Sequence, residues 1–423
     1  MTTTNSPAHE SLLISLGVSP GGRRGARPPT PPYDPVQRYL DGLVANPHLL
    51  LLGQPGTGKS ALAKSLLARL LRAHADGPRH LGVLDNRAEY RPLAEALGLA
   101  PVRLYPGGSD RLNPLDAGPD SAGFDYDDVL ERRKDVAAAL CSMKLRRPLT
   151  AMEHWALAAA VNSLPVSSAG PQPVLADVAR LLANPTEEMT EWAKAAPMFE
   201  SAGVDRPVDV AEDGRYLRQA LAELLDRELR GTFDAASTTP AERAAAGVVI
   251  DLSAFHGRRA VHTFTAVAAC AWLEAAATLA EEPGGFPRRY NIVDDAWLVM
   301  GDEHASRYLA SFLGRSTPHA VANLVIAHRL DDLRWGATNN RTVARAAGDF
   351  VEPVGTRVAF RHSTFQIELT AKALGLAADE AGPVPHLNQG QALWKVGGAS
   401  GFFVRHELRP EDRALCDDHA MTV

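Results

Sequence analysis

An octapeptide near residue 55 leaves this chain few folds to choose from. Gly53-Gln54-Pro55-Gly56-Thr57-Gly58-Lys59-Ser60 satisfies GxxxxGK[ST] and stands between the apolar run Leu49–Leu52 and a helical stripe with leucines at 62, 66, 67, 70 and 71. Strand, glycine-rich turn and amphipathic helix in that order form a phosphate-binding loop. Glycines let backbone N–H groups converge on phosphates, and the helix N-terminus adds partial positive charge. Gln54, Pro55, Gly56, Thr57, Gly58, Lys59, Ser60 and Ala61 are therefore the expected nucleotide-binding residues. Lys59 would neutralise the β and γ phosphates of ATP, and the Ser60 hydroxyl would bind Mg²⁺.

Beyond this loop the pattern continues as an α/β protein. Strands are expected at Leu81–Asp85 and Val102–Tyr105 around a short helix at Pro92–Leu97, the alternation of a mainly parallel sheet. From about Ala122 to Leu229 strand signals vanish, and Leu217, Leu221, Leu224 and Leu225 line one face of a charged helix, which predicts an all-helical insertion. Strand patterns return at Val248–Leu252, Tyr290–Asp294, Val321–Ala327, Thr356–Phe360, Ala392–Val396 and Phe402–Val404. The expected organisation is a Pro/Arg-rich disordered tail over 1–35, a first part of the α/β core over 36–121, a helical insertion over 122–235, a second part of the core over 236–408 and a tail over 409–423.

Composition narrows the function classes. A net charge of −6 argues against a surface coated in basic residues for nucleic acid. Cys141, Cys270 and Cys416 form no CxxC pair, so a disulfide framework or thiolate zinc site is not expected and a reducing cytoplasm fits. No apolar run reaches the length of a membrane span, and the alanine-rich stretch from Phe264 to Ala280 contains Glu274 and reads as a buried helix. No secretory signal is expected, since Glu10 comes early and no long apolar block follows a basic start.

A second cluster carries the chemistry. Asn291-Ile292-Val293-Asp294-Asp295-Ala296-Trp297 ends an apolar strand in two carboxylates. Asp294 is expected to hold the Mg²⁺ shell and Asp295 to orient or activate the attacking water, with Asp251 a weaker competitor for the metal.

Loop, insertion and acidic strand end occur in the order found in the ATPases of conjugative transfer and type IV secretion, which the chain resembles. These are the TraC-like branch of the HerA/FtsK group of RecA-like P-loop motors. Asp85-Asn86-Arg87-Ala88-Glu89-Tyr90 resembles that family's DxxxEY, Asn113-Pro114-Leu115 its NPL, Val249-Ile250-Asp251-Leu252-Ser253 its DLS strand and Gly390-Gln391-Ala392-Leu393-Trp394 its GxxL. The resemblance covers residues 36 to 408. It implies a RecA-like core, ATP and Mg²⁺ as cofactors, hydrolysis as the activity and a homo-oligomer, a hexameric ring. It also implies a place in the cytoplasm, peripheral at the inner membrane face, beside membrane-associated secretion or conjugation components. DNA is an alternative cargo, and a nucleotide-binding subunit with little turnover is a third reading.

Three departures from the family stand out. Asp295 is one methylene shorter than the usual Glu, and His328 takes the place of a γ-phosphate-sensing Gln. Where family members carry a large N-terminal docking domain, only a Pro-rich tail is expected here before the motor. The arginine that such rings supply in trans is expected among Arg315, Arg329, Arg357 and Arg361.

Overall fold

The computed structural model describes residues 33–72, 79–118, 126–166, 170–194, 207–239, 247–277, 288–328, 354–364 and 366–416. Helix α1 (Pro35–Leu40) leads to strand β1 (Leu49–Leu52), the loop of residues 53–58 and helix α2 (Lys59–Arg72). Strand β2 (Arg79–Asp85), helix α3 (Arg91–Leu97) and strand β3 (Ala100–Arg103) follow. Six helices come next: α4 (Tyr126–Leu145), α5 (Ala151–Asn162), α6 (Leu175–Ala183), α7 (Glu187–Lys194), α8 (Val210–Asp213) and α9 (Arg215–Asp226). The sheet resumes with β4 (Gly247–Asp251), α10 (Arg259–Ala277), β5 (Arg288–Val293), α11 (Trp297–Met300), α12 (Glu303–Ser316) and β6 (Val321–Ala327). The last elements are β7 (Thr356–Phe360), α13 (Ile367–Leu374), α14 (Ala378–Ala381), β8 (Gln391–Val396), β9 (Phe402–Arg405) and α15 (Pro410–Arg413).

These strands make one nine-stranded sheet in the order β3-β4-β2-β5-β6-β1-β7-β8-β9. Pairing is parallel from β3 to β7, and β8 and β9 add antiparallel strands at one edge. This is the RecA-like arrangement that the motifs imply, with helices on both faces. Strand β1 shows why its sequence reads as an unbroken leucine run: Leu49 and Leu51 enter the core layer formed with α2 and α3, while Leu50 and Leu52 enter the layer formed with α10, α12 and the helices of 126–226. The small residues of α10, among them Ala266, Ala268, Ala269 and Ala271, are fully buried and leave room for β2, α4 and α12 to pack close.

Polar side chains hold the ends of these layers. Asp34 caps α1 through the N–H groups of Val36 and Gln37, and it also receives Arg288 at 2.6 Å and the Tyr290 hydroxyl at 2.9 Å. Asn113 of the NPL segment is wholly buried and donates to Asp116 and to the Pro173 carbonyl, while its own Oδ1 accepts from Leu115 N. Arg133 of α4, also wholly buried, donates to the carbonyls of Leu115 and Pro165. The NPL segment is thus tied to the six-helix block.

The expected C-terminal tail is in part structured, because residues 410–413 form α15 and Asp412 is drawn into the core by Arg69 of α2. Residues 1–32 of the expected N-terminal tail and 417–423 of the C-terminal one lie outside the described residues.

Candidate nucleotide site

Parallel pairing brings the candidate residues to one edge of the sheet. Leu52 lies opposite Ala327, and Val293 opposite Val325, so the loop after β1, the pair Asp294–Asp295 after β5 and His328 after β6 all leave from C-terminal strand ends. Strand β6 separates β1 from β5, which sets the acidic pair about 10 Å across from the loop at two strand spacings. Ligands of open parallel sheets bind at this edge.

The loop itself is held from beneath. Gly53 is required by close approach, since a Cβ there would lie 2.5 Å from Phe360 Cβ. Gly56 and Gly58 have φ of 73° and 107°, a region that side-chain-bearing residues rarely adopt. Gln54 N donates to the Arg361 carbonyl at 3.0 Å, and Gly390 N donates to the Thr57 carbonyl at 2.9 Å. Gly390, from the GxxL segment, is therefore a backbone clamp on the loop. Thr57 Oγ1 closes the turn onto the Gln54 carbonyl at 2.7 Å.

Lys59 is buried, and its Nζ donates to the Gly53 and Gln54 carbonyls at 2.7 and 2.9 Å. Burial lowers its pKa to about 8 against the raising fields of Asp294 and Asp295. The strand register places this cation and both carboxylates at the same edge of the sheet.

The acidic pair divides into two unlike groups. Asp294 accepts the Tyr90 hydroxyl on Oδ2 at 2.6 Å and the Asp295 N–H on Oδ1 at 2.8 Å. Burial and the neighbouring Asp295 charge raise its pKa, and burial together with Asp294 raises that of Tyr90 well above the ordinary phenol value, so the phenol is the donor. Asp295 has φ of 48°, a strained conformation for a residue with a side chain and one that collects at functional sites. Its carboxylate meets Arg87 Nε at 2.6 Å, His328 Nε2 at 2.7 Å and Trp297 Nε1 at 3.1 Å. Burial alone would raise its pKa, but His328 and Arg87 outweigh that and hold it down at about 2. Asp295 in this arrangement is a firmly ionised anchor for groups around it.

Strand order explains the DxxxEY segment. Asp85, at the end of β2, accepts the N–H groups of Arg87, Glu89 and Tyr90 and shapes the turn. Because β2 lies beside β5, this turn delivers Tyr90 to Asp294, Arg87 to Asp295 and Asn86 Nδ2 to the Asp294 carbonyl. Asn86 Oδ1 in turn meets His262 Nε2 at 2.7 Å. None of these partners was singled out from the sequence; the quoted motif was the signal that pointed to them. Asp251 lies one strand further out on β4, where it caps Ser253 N.

Of the four arginines, Arg315 is engaged within its own chain. It forms a two-pronged pair with Glu274, at 2.5 and 3.0 Å, and also pairs with Asp135. Arg357 donates to the Leu374 carbonyl, Arg361 is exposed beside the phosphate loop, and Arg329 lies outside the described residues.

The residues present fit Mg²⁺ and a nucleoside triphosphate: a lysine cradled in the loop, a serine hydroxyl at the helix start and a hard carboxylate opposite. Among the described residues no cluster of three His, Cys, Asp or Glu could hold a metal.

Fold and site together define a RecA-like P-loop nucleotide-binding protein. Residues 32–242 match the family model described as the central domain of helicase HerA, the group that the motifs resemble. No curated protein matches the sequence. Among solved structures, VirB4 of Thermoanaerobacter pseudethanolicus is 18% identical over 87% of this chain and 91% of that one, with a TM-score of 0.58. The plasmid coupling protein TrwB bound to a non-hydrolysable GTP analogue is 13% identical over 94% of this chain and 92% of that one, with a TM-score of 0.53. TrwB with ADP and Mg²⁺ is 14% identical over the same shares, with a TM-score of 0.52.

Proposed function

We propose that this protein is an ATP-hydrolysing motor that powers conjugative DNA transfer, or the assembly of or substrate transfer through a type IV secretion apparatus. The observation that carries the reading is the convergence of Lys59 with Asp294 and Asp295 at one sheet edge. Similarity to VirB4 and to a plasmid coupling protein crystallised with ADP and Mg²⁺ supports it.

In this mechanism the loop backbone and Lys59 hold the phosphates, and Ser60 and Asp294 hold Mg²⁺. The bound ion supplies charge neutralisation at the phosphoryl group. Tyr90 fixes the rotamer of Asp294, while Arg87 and Trp297 fix Asp295. Asp295 orients the attacking water, and His328, on the neighbouring strand end, senses the γ-phosphate beside it. The low basicity of Asp295 favours orientation over proton removal. A hexameric ring would complete the site with an arginine in trans, for which Arg357, Arg361 and Arg329 are the positions proposed. Among the described residues no helix is long and apolar enough to cross a membrane, and the proposed partners are membrane-associated secretion or conjugation components at the inner membrane face.

Purified protein should hydrolyse ATP in the presence of Mg²⁺, and Lys59→Ala should abolish turnover. Turnover unchanged in that variant would overturn the reading. The HerA match favours a second reading, a DNA translocase, which stimulation of hydrolysis by DNA and salt-sensitive DNA retention would support. Asp295 favours a third, a subunit that binds nucleotide with little turnover, and fast single-turnover hydrolysis by the unmodified chain would eliminate it.

A further inference from the structure

Strand β7 ends at Phe360 against Gly53, and the next residue, Arg361, accepts the Gln54 N–H, so the segment after β7 is fastened to the first turn of the phosphate loop. His362 follows. It is 2% exposed, and among the described residues neither ring nitrogen has a hydrogen-bond partner. A neutral imidazole carries one donor and one acceptor, and burying both unmet is costly. Three other histidines avoid that cost: His48 reaches the Leu313 carbonyl, His262 reaches Asn86 and His406 reaches Ser65. His362 differs from them in lying next to a ligand site. Burial and the charge of Lys59 lower its pKa to about 4, which keeps the ring neutral beside that cation.

We infer that His362 is a hydrogen-bond donor to the phosphate chain of the bound nucleotide, alongside Lys59. The inference deepens the nucleotide reading above and rests on it. Lys59 is the charged group His362 feels, and Lys59 is the residue that meets the β and γ phosphates in loops of this kind. A phosphate oxygen arriving there would give the buried N–H the acceptor it lacks.

The test compares uptake of fluorescent ADP and of a non-hydrolysable ATP analogue by the unmodified chain, Lys59→Ala, His362→Phe and His362→Asn. His362→Phe keeps the ring volume and removes the donor, and should weaken binding by about tenfold or more, the usual range for a bond to a charged acceptor. His362→Asn restores a donor and should bind within about threefold of the unmodified chain. Equal affinity for His362→Phe, or equal losses in both variants, overturns the inference while loss in Lys59→Ala leaves the nucleotide site standing. No uptake by the unmodified chain overturns both. Should His362→Phe fail to fold, histidine-labelled NMR of the unmodified chain decides: the His362 ring signals shift on ADP addition, and unmoved signals sink the inference.

Discussion

Removing the carboxylate of Asp412 tests whether the C-terminal segment braces the phosphate-loop helix. Asp412 is fully buried and Arg69 is 8% exposed. Arg69 Nε and Nη2 both donate to Asp412 Oδ2, at 2.9 and 2.6 Å, and Nη2 also reaches the Glu407 carbonyl. Arg72 lies 3.6 Å from the other carboxylate oxygen. Breaking one partner of such a pair leaves a buried charge unmatched, at a cost of about 3–5 kcal/mol, whereas an exposed pair would cost under about 1 kcal/mol. Asp412→Ala should therefore lower stability by about 3–5 kcal/mol in urea unfolding. The double variant Arg69→Met with Asp412→Leu should recover most of that loss, because no charge is then stranded. Since Arg69 and Lys59 share α2, hydrogen exchange of residues 59–62 should rise in Asp412→Ala. A loss under about 1 kcal/mol, or additive effects in the double variant, would refute the reasoning.

Lys59→Ala should not destabilise the nucleotide-free protein, because it removes a buried cation whose pKa has fallen to about 8. The sign is fixed by linkage: a lysine lowered from 10.5 opposes folding on the order of 3 kcal/mol below pH 8, and that penalty fades as pH rises toward 10.5. Urea midpoints of the two proteins at pH 7.5 and 10 check it. Arg315→Met should cost about 3–5 kcal/mol by stranding Glu274, which is 9% exposed, so loss of turnover there should accompany thermal destabilisation measured by scanning calorimetry. His48, lowered to about 4 by burial, contributes stability that is present above pH 6.5 and lost as pH falls toward 4. His48→Gln should remove on the order of 3 kcal/mol of the acid dependence over that window, read from denaturation midpoints at stepped pH.

What could be read from residues alone follows from how locally each element is determined. Strands β6 and β7 run from Val321 to Ala327 and Thr356 to Phe360 as expected, because short apolar runs, Leu324–Ala327 and Val358–Phe360, mark strands buried on both faces. Strand β3 was expected at Val102–Tyr105 and runs from Ala100 to Arg103, since it pairs on one side alone and its end is set by Asp110 accepting the Arg103 N–H. Strand β5 ends one residue before Asp294, and the left-handed backbone at Asp295 turns the chain there. Lys59, Ser60 and Asp294 were legible because phosphate and magnesium chemistry demand those residue types at a strand end. Tyr90, Arg87 and His262 were not, because their roles depend on which strand lies beside β5, and hydrophobic periodicity carries no strand order.

That dependence on strand order also bears on how hydrolysis would be coupled to movement. The loop is gripped on one side by the β7 end through Gln54 and Arg361, and by Gly390 at the start of β8 through Thr57. Gly390 accepts the His406 N–H, the His406 ring meets Ser65 of α2, and Arg69 of α2 is tied to Asp412 of the last described helix. On the other side, β6 carries His328 to Asp295, and the turn after β2 carries Arg87 and Tyr90 to the acidic pair. A phosphate that draws Lys59 off the Gly53 and Gln54 carbonyls therefore acts on two sets of contacts at once. One set leads to the antiparallel edge strands, and the other leads through His262 to α10, which packs against the inserted helix α4. In the proposed motor, loss or gain of one phosphate at the loop would reach both the sheet edge and the helical block through these bonded or packed neighbours.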